Sequence, residues 1–352
     1  MFALLISLPM MVCLFWGIYF LIHTTRPDNE PRVTRLLVAF FAAATILYLD
    51  HWLYFSGIFV TTGEWSYGVV NLCVYPLYYA YLRALTRARS NWEITILLLP
   101  ALVSAVLFPI NRWGGILSDN TLFLFTRACF SLQVVWVLVR GYMLLLQTIH
   151  RMDNTYSDDR SRLLQPTYIS LILFGVTSAV SMVLNVFGRD YFAHEMLVLV
   201  PALVMAVLLY GLGFVAAHTV IPMDTVADEN DSEEATPEET KDLIHAIDAV
   251  MREKMLFTNP NLTIQDLAMA VNSNRTYVSN AINRAYHISF SQYVARQRVA
   301  YAQLILRDPR YPSDKAAIND AITLSGFNSE QTFYRAFKEI TRTTPLNYRK
   351  NY

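Results

Sequence analysis

The chain has 352 residues, 54% of them hydrophobic and only 16% charged, where an ordinary globular protein carries about 25% charged residues. One soluble domain of average composition is therefore excluded, and at roughly 100–200 residues per domain the length suits two units, sometimes three. Net charge is zero, which as an average would exclude a basic nucleic-acid binder, but that average hides three unlike segments.

Residues 1–222 hold thirteen Arg and no Lys against eleven acids, a net +2. Residues 223–240 hold no base and eight acids (Asp224, Asp228, Glu229, Asp231, Glu233, Glu234, Glu238, Glu239), a net −8. Residues 241–352 hold fifteen bases against nine acids, a net +6. Cys13, Cys73 and Cys129 each lie in an apolar run. Their odd number argues against a disulfide framework, and they read as small buried hydrophobes.

A bilayer core about 30 Å thick needs roughly 20 apolar residues. Seven stretches in the first segment qualify: 2–22, 36–60, 67–85, 93–110, 121–147, 167–187 and 196–217. Runs such as Leu36-Leu37-Val38-Ala39-Phe40-Phe41 are apolar on every face, where a helix against water would keep a polar one. The first run has no basic residue before it and three after it (Arg26, Arg32, Arg35), so it reads as a retained span and not a cleaved signal peptide. Odd-numbered loops carry nine arginines (Arg26, Arg32, Arg35, Arg83, Arg87, Arg89, Arg151, Arg160, Arg162), and even-numbered loops carry two (Arg112, Arg189). Basic residues stay on the cytoplasmic side. The expectation is a multi-pass protein of the bacterial cytoplasmic (inner) membrane, with its N-terminus outside and its C-terminal segment in the cytoplasm.

Polar residues inside spans mark candidate sites. Asp50, His51, Asn71 and Arg127 fall at similar depth in the outer half of the second, third and fifth spans. They read either as a ligand pocket open to the outside or as a structural Asp–Arg pair between helices. Arg83 and Arg140, near inner ends, are expected to snorkel to the headgroups. His194-Glu195 begins like a zinc-protease motif, but Val198 stands where the second His would be. Gly211-Leu212-Gly213 with Ala216 matches a dinucleotide fingerprint, yet no strand precedes it, and small residues on a span let helices pack closely. No catalytic constellation survives, and no metal or cofactor is expected.

Residues 223–240 lack apolar periodicity and read as a solvated, flexible linker of roughly 24 Å. Its charge could also cover the basic segment in competition with phosphate. Thr236-Pro237-Glu238-Glu239 marks a helix start, with an N-cap, proline at the first helical position and a capping glutamate.

From Lys241 apolar residues return at helical spacing, with Leu243, Ile247 and Val250 as one stripe beside Ile244, Met251 and Met255. A short helix from Thr263 to Ala268, a turn at Asn272-Ser273-Asn274 and a second helix from Arg275 to about Tyr286 follow. A helix of about 18 residues (Ser289 to Leu306) is ended by Asp308-Pro309. The pattern then recurs 54 positions on, with Ile318, Asp320 and Gly326 echoing Ile264, Asp266 and Asn272, and a last helix over Glu330 to Ile340. Two short helices with a tight turn, the second polar on its outer face, describe a helix-turn-helix, whose second helix lies in the major groove.

Gly326-Phe327, Phe333, Arg335, Phe337-Lys338, Thr344-Pro345 and Tyr348-Arg349 spell G-F-x(5)-F-x-R-x-F-K-x(5)-T-P-x-x-Y-R. Residues 240–352 thereby resemble the DNA-binding domain of AraC/XylS-type transcription regulators. The resemblance implies two helix-turn-helix units, rigidly joined by a helix, that read adjacent major-groove segments of double-stranded DNA. It implies Gln331 and Arg335 as base readers with Thr332 beside them. In the first unit, whose turn is one residue shorter, Thr276 and Asn280 match, flanked by Arg275 and Ser279. Arg284, Lys338 and Arg349 are expected on phosphates, which position without specifying. Three departures stand out: Asn280 replaces a frequent Arg, Ala321-Ile322 reverses the usual order and puts bulk where helices cross, and His287 and Arg342 replace common turn glycines.

The expected fold is all-α. A seven-helix transmembrane bundle (1–222) and an acidic linker (223–240) precede a small cytoplasmic domain with two helix-turn-helix units (241–352). The expected function is a membrane-embedded one-component transcription regulator and not an enzyme. Its partners would be DNA, the lipid bilayer and an unidentified effector, with room for a homodimer. The alternative is a seven-span transporter or receptor whose helical tail binds protein.

Overall fold

The computed structural model describes residues 2–23, 31–57, 63–86, 92–115, 119–158, 160–187, 195–218, 237–311 and 313–351. The acidic stretch 223–236, Thr236, Arg26, Arg87, Arg89, Arg189 and His194 lie outside the described residues. Among the described residues there is no strand; the protein is all-α, as expected. It divides into two compact units, Met1–Leu146 with Leu164–Ile221, and Gln147–Leu163 with Pro222–Tyr352. The second unit thus takes in a segment that the sequence places between the fifth and sixth spans.

The first unit is built from α1 (Phe2–Ile6), α2 (Leu8–His23), α3 (Pro31–Phe55), α4 (Gly63–Leu85), α5 (Trp92–Gly114), most of α6 (Asp119–Thr155), α7 (Gln165–Phe187) and α8 (Glu195–Ala217). Helix α2 packs on α3 and α8, α3 on α4, α4 on α5, and α7 on α8. Five of these elements hold stretches long and apolar enough to cross a membrane: Pro31–Phe55, Trp92–Asn111, Thr121–Thr155, Arg162–Asn185 and Val198–Ala217. Helix α2 is shorter, at 16 residues, and α4 is not among the five. The reason for α4 lies in its position. From Leu72 to Thr86 nearly every side chain is buried, with Tyr78, Tyr79, Tyr81 and Leu82 at the centre of the unit. A helix wrapped by other helices needs no lipid-facing surface, so it can carry tyrosines, Asn71 and Arg83. The outward faces elsewhere are apolar, with Leu102, Leu124, Leu132 and Val207 among the most exposed side chains.

Two expectations from sequence meet different outcomes here. Gly213 does serve close packing: a Cβ built on it would lie 2.4 Å from the Trp16 ring. Arg83 is buried where it was expected to reach out, and Arg140 is half-buried. Both pair with the buried carboxylate of Glu93, Arg140 at 2.5 Å, and Tyr79 donates its hydroxyl to the same carboxylate at 2.5 Å. A carboxylate taken out of water needs its charge balanced nearby, and the two arginines supply that balance.

The second unit contains α9 (Pro237–Glu253), a turn of 3-10 helix (Leu256–Thr258), α10 (Ile264–Ala270), α11 (Arg275–Tyr286), α12 (Phe290–Arg307), α13 (Asp314–Leu324), α14 (Glu330–Thr341) and α15 (Pro345–Lys350). The N-caps are legible in the sequence. Thr263, Asn274, Ser289, Ser313, Ser329 and Thr344 each accept a backbone N–H of the first turn, at α10 through α15 in order. Each cap contributes about 1 kcal/mol, enough to set the boundaries of short helices. The buried stripe of α9 runs through Ile244, Ile247 and Met251, with Leu243 and Val250 at its flanks and not at its centre.

Two separate cores are strung along α12. Val294 belongs to the first, with Ile247, Met251, Leu267, Val278 and Ile282. Val299 and Ala302 belong to the second, with Ala321, Phe333 and Phe337. The order reversal at Ala321-Ile322 puts no bulk at a helix crossing: Ala321 is fully buried in the second core and Ile322 packs half-buried at its edge.

Candidate nucleic-acid interface

The two helix-turn-helix units repeat down to individual hydrogen bonds. In the first, Asn272 N–H donates to Met269 O (3.2 Å) and Ser273 N–H to Ala268 O (2.9 Å). In the second, Gly326 N–H donates to Thr323 O (3.3 Å) and Phe327 N–H to Ile322 O (3.2 Å), each 54 positions later. Both turns need a left-handed residue, with φ +52° at Asn272 and +82° at Gly326. Asparagine tolerates that conformation and glycine adopts it freely. Gly326 is needed twice over, because a Cβ there would lie 2.6 Å from Thr258 O and 2.7 Å from Phe257 O. His287 (φ +55°) and Arg342 (φ +61°) end α11 and α14 in the same conformation, so the two missing turn glycines are real strain points.

Helix α14 is sharply two-faced. Phe333, Ala336 and Phe337 are buried, while Gln331 and Lys338 are exposed and Arg335 is half-buried on the outer side. Gln331 and Arg335 are one turn apart and share a face. Thr332 is half-buried, and its hydroxyl lies 2.9 Å from that of the capping Ser329. On α11, Asn280 and Arg284 are exposed, and Arg275 and Thr276 are half-buried. Ser279 is largely buried beside Val278, with its hydroxyl 3.5 Å from the Asn283 amide.

Arg349 occupies a different place from the phosphate contact expected of it. Its Nε donates to Asp314 Oδ1 at 2.8 Å, Nη1 to Leu306 O at 3.0 Å and Nη2 to Tyr311 O at 3.3 Å. The side chain is 13% exposed. With Asp308 O, which accepts from Nη1 at 3.4 Å, three main-chain carbonyls without helical partners of their own tie α15 to the α12–α13 connection.

Arg298 is the basic residue that charge counting misplaces. It counts toward the +6, yet it is 1% exposed. Nε donates to Phe257 O at 2.7 Å, Nη2 to Asn259 O at 2.8 Å and to Ser157 Oγ at 3.1 Å, and Nη1 to Ser157 O at 3.3 Å. Burial lowers its pKa to about 10. The signal was present: Arg298 falls four residues after Val294 and four before Ala302, on the apolar stripe of α12. In the first unit, Tyr286 and Tyr293 both donate to Asp248, at 2.5 and 2.6 Å. Burial, then the carboxylate, pushes the Tyr286 hydroxyl up to about 12.

The polar candidates of the apolar segment divide. Asp50 accepts a hydrogen bond from Ser66 of α4 at 3.0 Å, and the His51 ring lies 5.3 Å from that of Tyr67. Asn71 is buried, and its Oδ1 has no hydrogen-bond partner among the described residues. Arg127 is half-buried on α6, where Ser131 donates to its carbonyl. The structure thus brings Asp50 and His51 to α4, where Ser66 is one partner of Asp50. Among the described residues no group of three His, Cys, Asp or Glu side chains could hold a metal ion.

Residues 267–351 match a family model described as a helix-turn-helix domain. The melibiose operon regulatory protein of Escherichia coli strain K12 is 32% identical over 89 residues, 25% of this chain and 28% of that protein. The Msm operon regulatory protein of Streptococcus mutans is 25% identical over 159 residues, 45% of this chain and 51% of that protein. The chain therefore spans between about a quarter and a half of these relatives. No solved structure matches it.

Proposed function

We propose, from the premise that the chain ends in an AraC-type helix-turn-helix domain, that it is a membrane-embedded one-component transcription regulator. Seven helices cross the bacterial cytoplasmic membrane, the N-terminus lies outside and the DNA-binding domain lies in the cytoplasm. Helices α11 and α14 enter successive major grooves. Helix α12, 18 residues long, spans about 27 Å, which suits grooves about 34 Å apart on one DNA face.

One observation carries the DNA reading: the outer face of α14 presents Gln331, Arg335 and Lys338 together, opposite a face closed by Phe333 and Phe337. Gln bonds adenine and Arg bonds guanine bidentately. Asn280 and Thr276, with Arg275 beside them, read bases in the first unit. Arg284 and Lys338 hold phosphates. Arg349 and Ser279 are left out of this set by their positions.

The five apolar helices support membrane embedding. The two remaining spans are α2 and the enclosed α4. An effector acts by favouring one arrangement of the spans or of a dimer over another. DNA binding by the full chain in lipid nanodiscs tests the central reading. Affinity should fall steeply with salt as counterions are released. Arg335→Ala should cost about 1–3 kcal/mol on a preferred site and much less on random DNA. Equal, weak binding of all DNA by the unaltered chain and the Arg335→Ala variant would refute the assignment. Reporter fusions in each loop test the topology, and a C-terminal fusion active outside the membrane would overturn it.

A further inference from the structure

The three residues Tyr156, Ser157 and Asp158 are the most unexpected members of the DNA-binding unit. They directly follow α6 and precede the 3-10 turn Arg160–Leu164 that leads into α7. In sequence they connect two of the stretches long and apolar enough to cross a membrane, Thr121–Thr155 and Arg162–Asn185. Yet Tyr156 is 6% exposed and Ser157 3%. Connections normally run over the surface, because their main-chain polar groups need partners. Here the partners are supplied by the helix-turn-helix region.

Tyr156 forms an antiparallel bridge with Thr263, the cap of α10. Ser157 N–H donates to Leu262 O at 3.1 Å. Ser157 O and Oγ accept from the buried Arg298 guanidinium on α12. Asp158 Oδ2 accepts from the Asn328 amide at 3.3 Å, in the turn just before α14, and the same amide reaches Pro260 O at 3.0 Å. One short segment thus touches the entrance of the first unit, the connecting helix and the turn of the second. Arg298 lies between the two cores, and Ser157 supplies two of its four acceptors. Withdrawing the segment would leave a buried cation with unmet donors at the joint between the units, which the domain would relieve by loosening there.

We propose that Tyr156–Asp158 is a docked brace that holds the two helix-turn-helix units in one mutual orientation, and that its release is how the spans lower DNA affinity. The control step rests on the regulator reading above; the bracing does not. Reading two adjacent grooves demands a fixed spacing, and freedom between the units must be lost again on binding.

The test uses the full chain in lipid nanodiscs, with Cys13, Cys73 and Cys129 replaced by Ala. Spin labels are placed at the exposed residues Met269 of α10 and Leu324 of α13, by Met269→Cys and Leu324→Cys. The distance distribution between them is measured by double electron–electron resonance. Ser157→Pro removes the N–H given to Leu262, and Asp158→Ala removes one of the two acceptors of Asn328 while leaving the main chain intact. Neither residue is among the proposed base or phosphate contacts. The brace predicts a narrow distribution in the unaltered chain and a broadened one in both variants. It also predicts at least about five-fold weaker binding to duplexes of about 40 base pairs selected from a random pool by the unaltered chain. Unchanged distributions in both variants would overturn the brace. Broadened distributions with unchanged or tighter binding would overturn its role in control. Failure of the unaltered chain to bind any duplex would sink the regulator reading instead, and the distance measurement stands apart from that result.

Discussion

Gly326→Ala tests whether the second helix-turn-helix is held by its turn. At φ +82° an alanine bears a left-handed penalty of about 1–2 kcal/mol. Its Cβ would also stand 2.6 Å from Thr258 O and 2.7 Å from Phe257 O, inside any real contact distance. Those carbonyls belong to a 3-10 turn, and Phe257 O is held by Arg298 at 2.7 Å, so they cannot simply step back. Overpacking of this kind costs about 1–3 kcal/mol. The expected loss is about 2–5 kcal/mol, a large share of the about 5–15 kcal/mol that folds a domain. Urea unfolding of the 237–352 fragment, followed by far-ultraviolet circular dichroism, should show the midpoint falling by about 1–2 M. Asn272→Gly, at the matching turn of the first unit, should change stability by no more than about 0.5 kcal/mol. A Gly326→Ala midpoint within error of the unaltered fragment would refute the reasoning, since it would mean that the 3-10 turn yields freely.

Arg349→Ala should destabilise the same fragment by about 2–3 kcal/mol while leaving the salt slope of DNA binding unchanged. Lys338→Ala should do the reverse, reducing that slope by about one without shifting the unfolding midpoint. Asp248→Ala strands the hydroxyl of the buried Tyr293 and should cost about 1–3 kcal/mol in thermal unfolding; a neutral result would show that water replaces the carboxylate. Glu93→Gln leaves Arg83 facing a neutral amide inside the first unit. It should lower stability by about 3 kcal/mol in detergent, with the loss of monodisperse elution on heating as the readout.

Much of the helix-turn-helix region was legible because its signals are local. Six Ser, Thr or Asn caps, the 54-residue echo and a glycine at a left-handed turn each act within a few residues of where they sit. Helix α11, Arg275–Tyr286, starts at the expected residue and ends where the sequence placed its end approximately. The two-faced α14 was equally plain, since Phe333 and Phe337 alternate with Gln331, Arg335 and Lys338 at helical spacing.

The net charge of the last segment was less instructive. Fifteen bases were counted, but Arg298 and Arg349 are turned inward to carbonyls far away in the chain. Charge counting assumes every guanidinium meets solvent, and Arg298 on an apolar stripe was the one visible contradiction. Glu93 is the parallel case in the first unit, where arginines expected at headgroups close on a carboxylate from another helix.

The amino-acid sequence by itself determined the all-α class, the apolar and basic segments, the helix caps and the outer face of α14, because composition and periodicity act at short range. Only the tertiary structure decided that α4 is enclosed by its neighbours, that Ser279 and Arg349 are largely buried, and that Tyr156–Asp158 belongs with the DNA-binding unit. Those outcomes depend on which distant carbonyl or carboxylate is left without a partner, and no spacing along the chain records that.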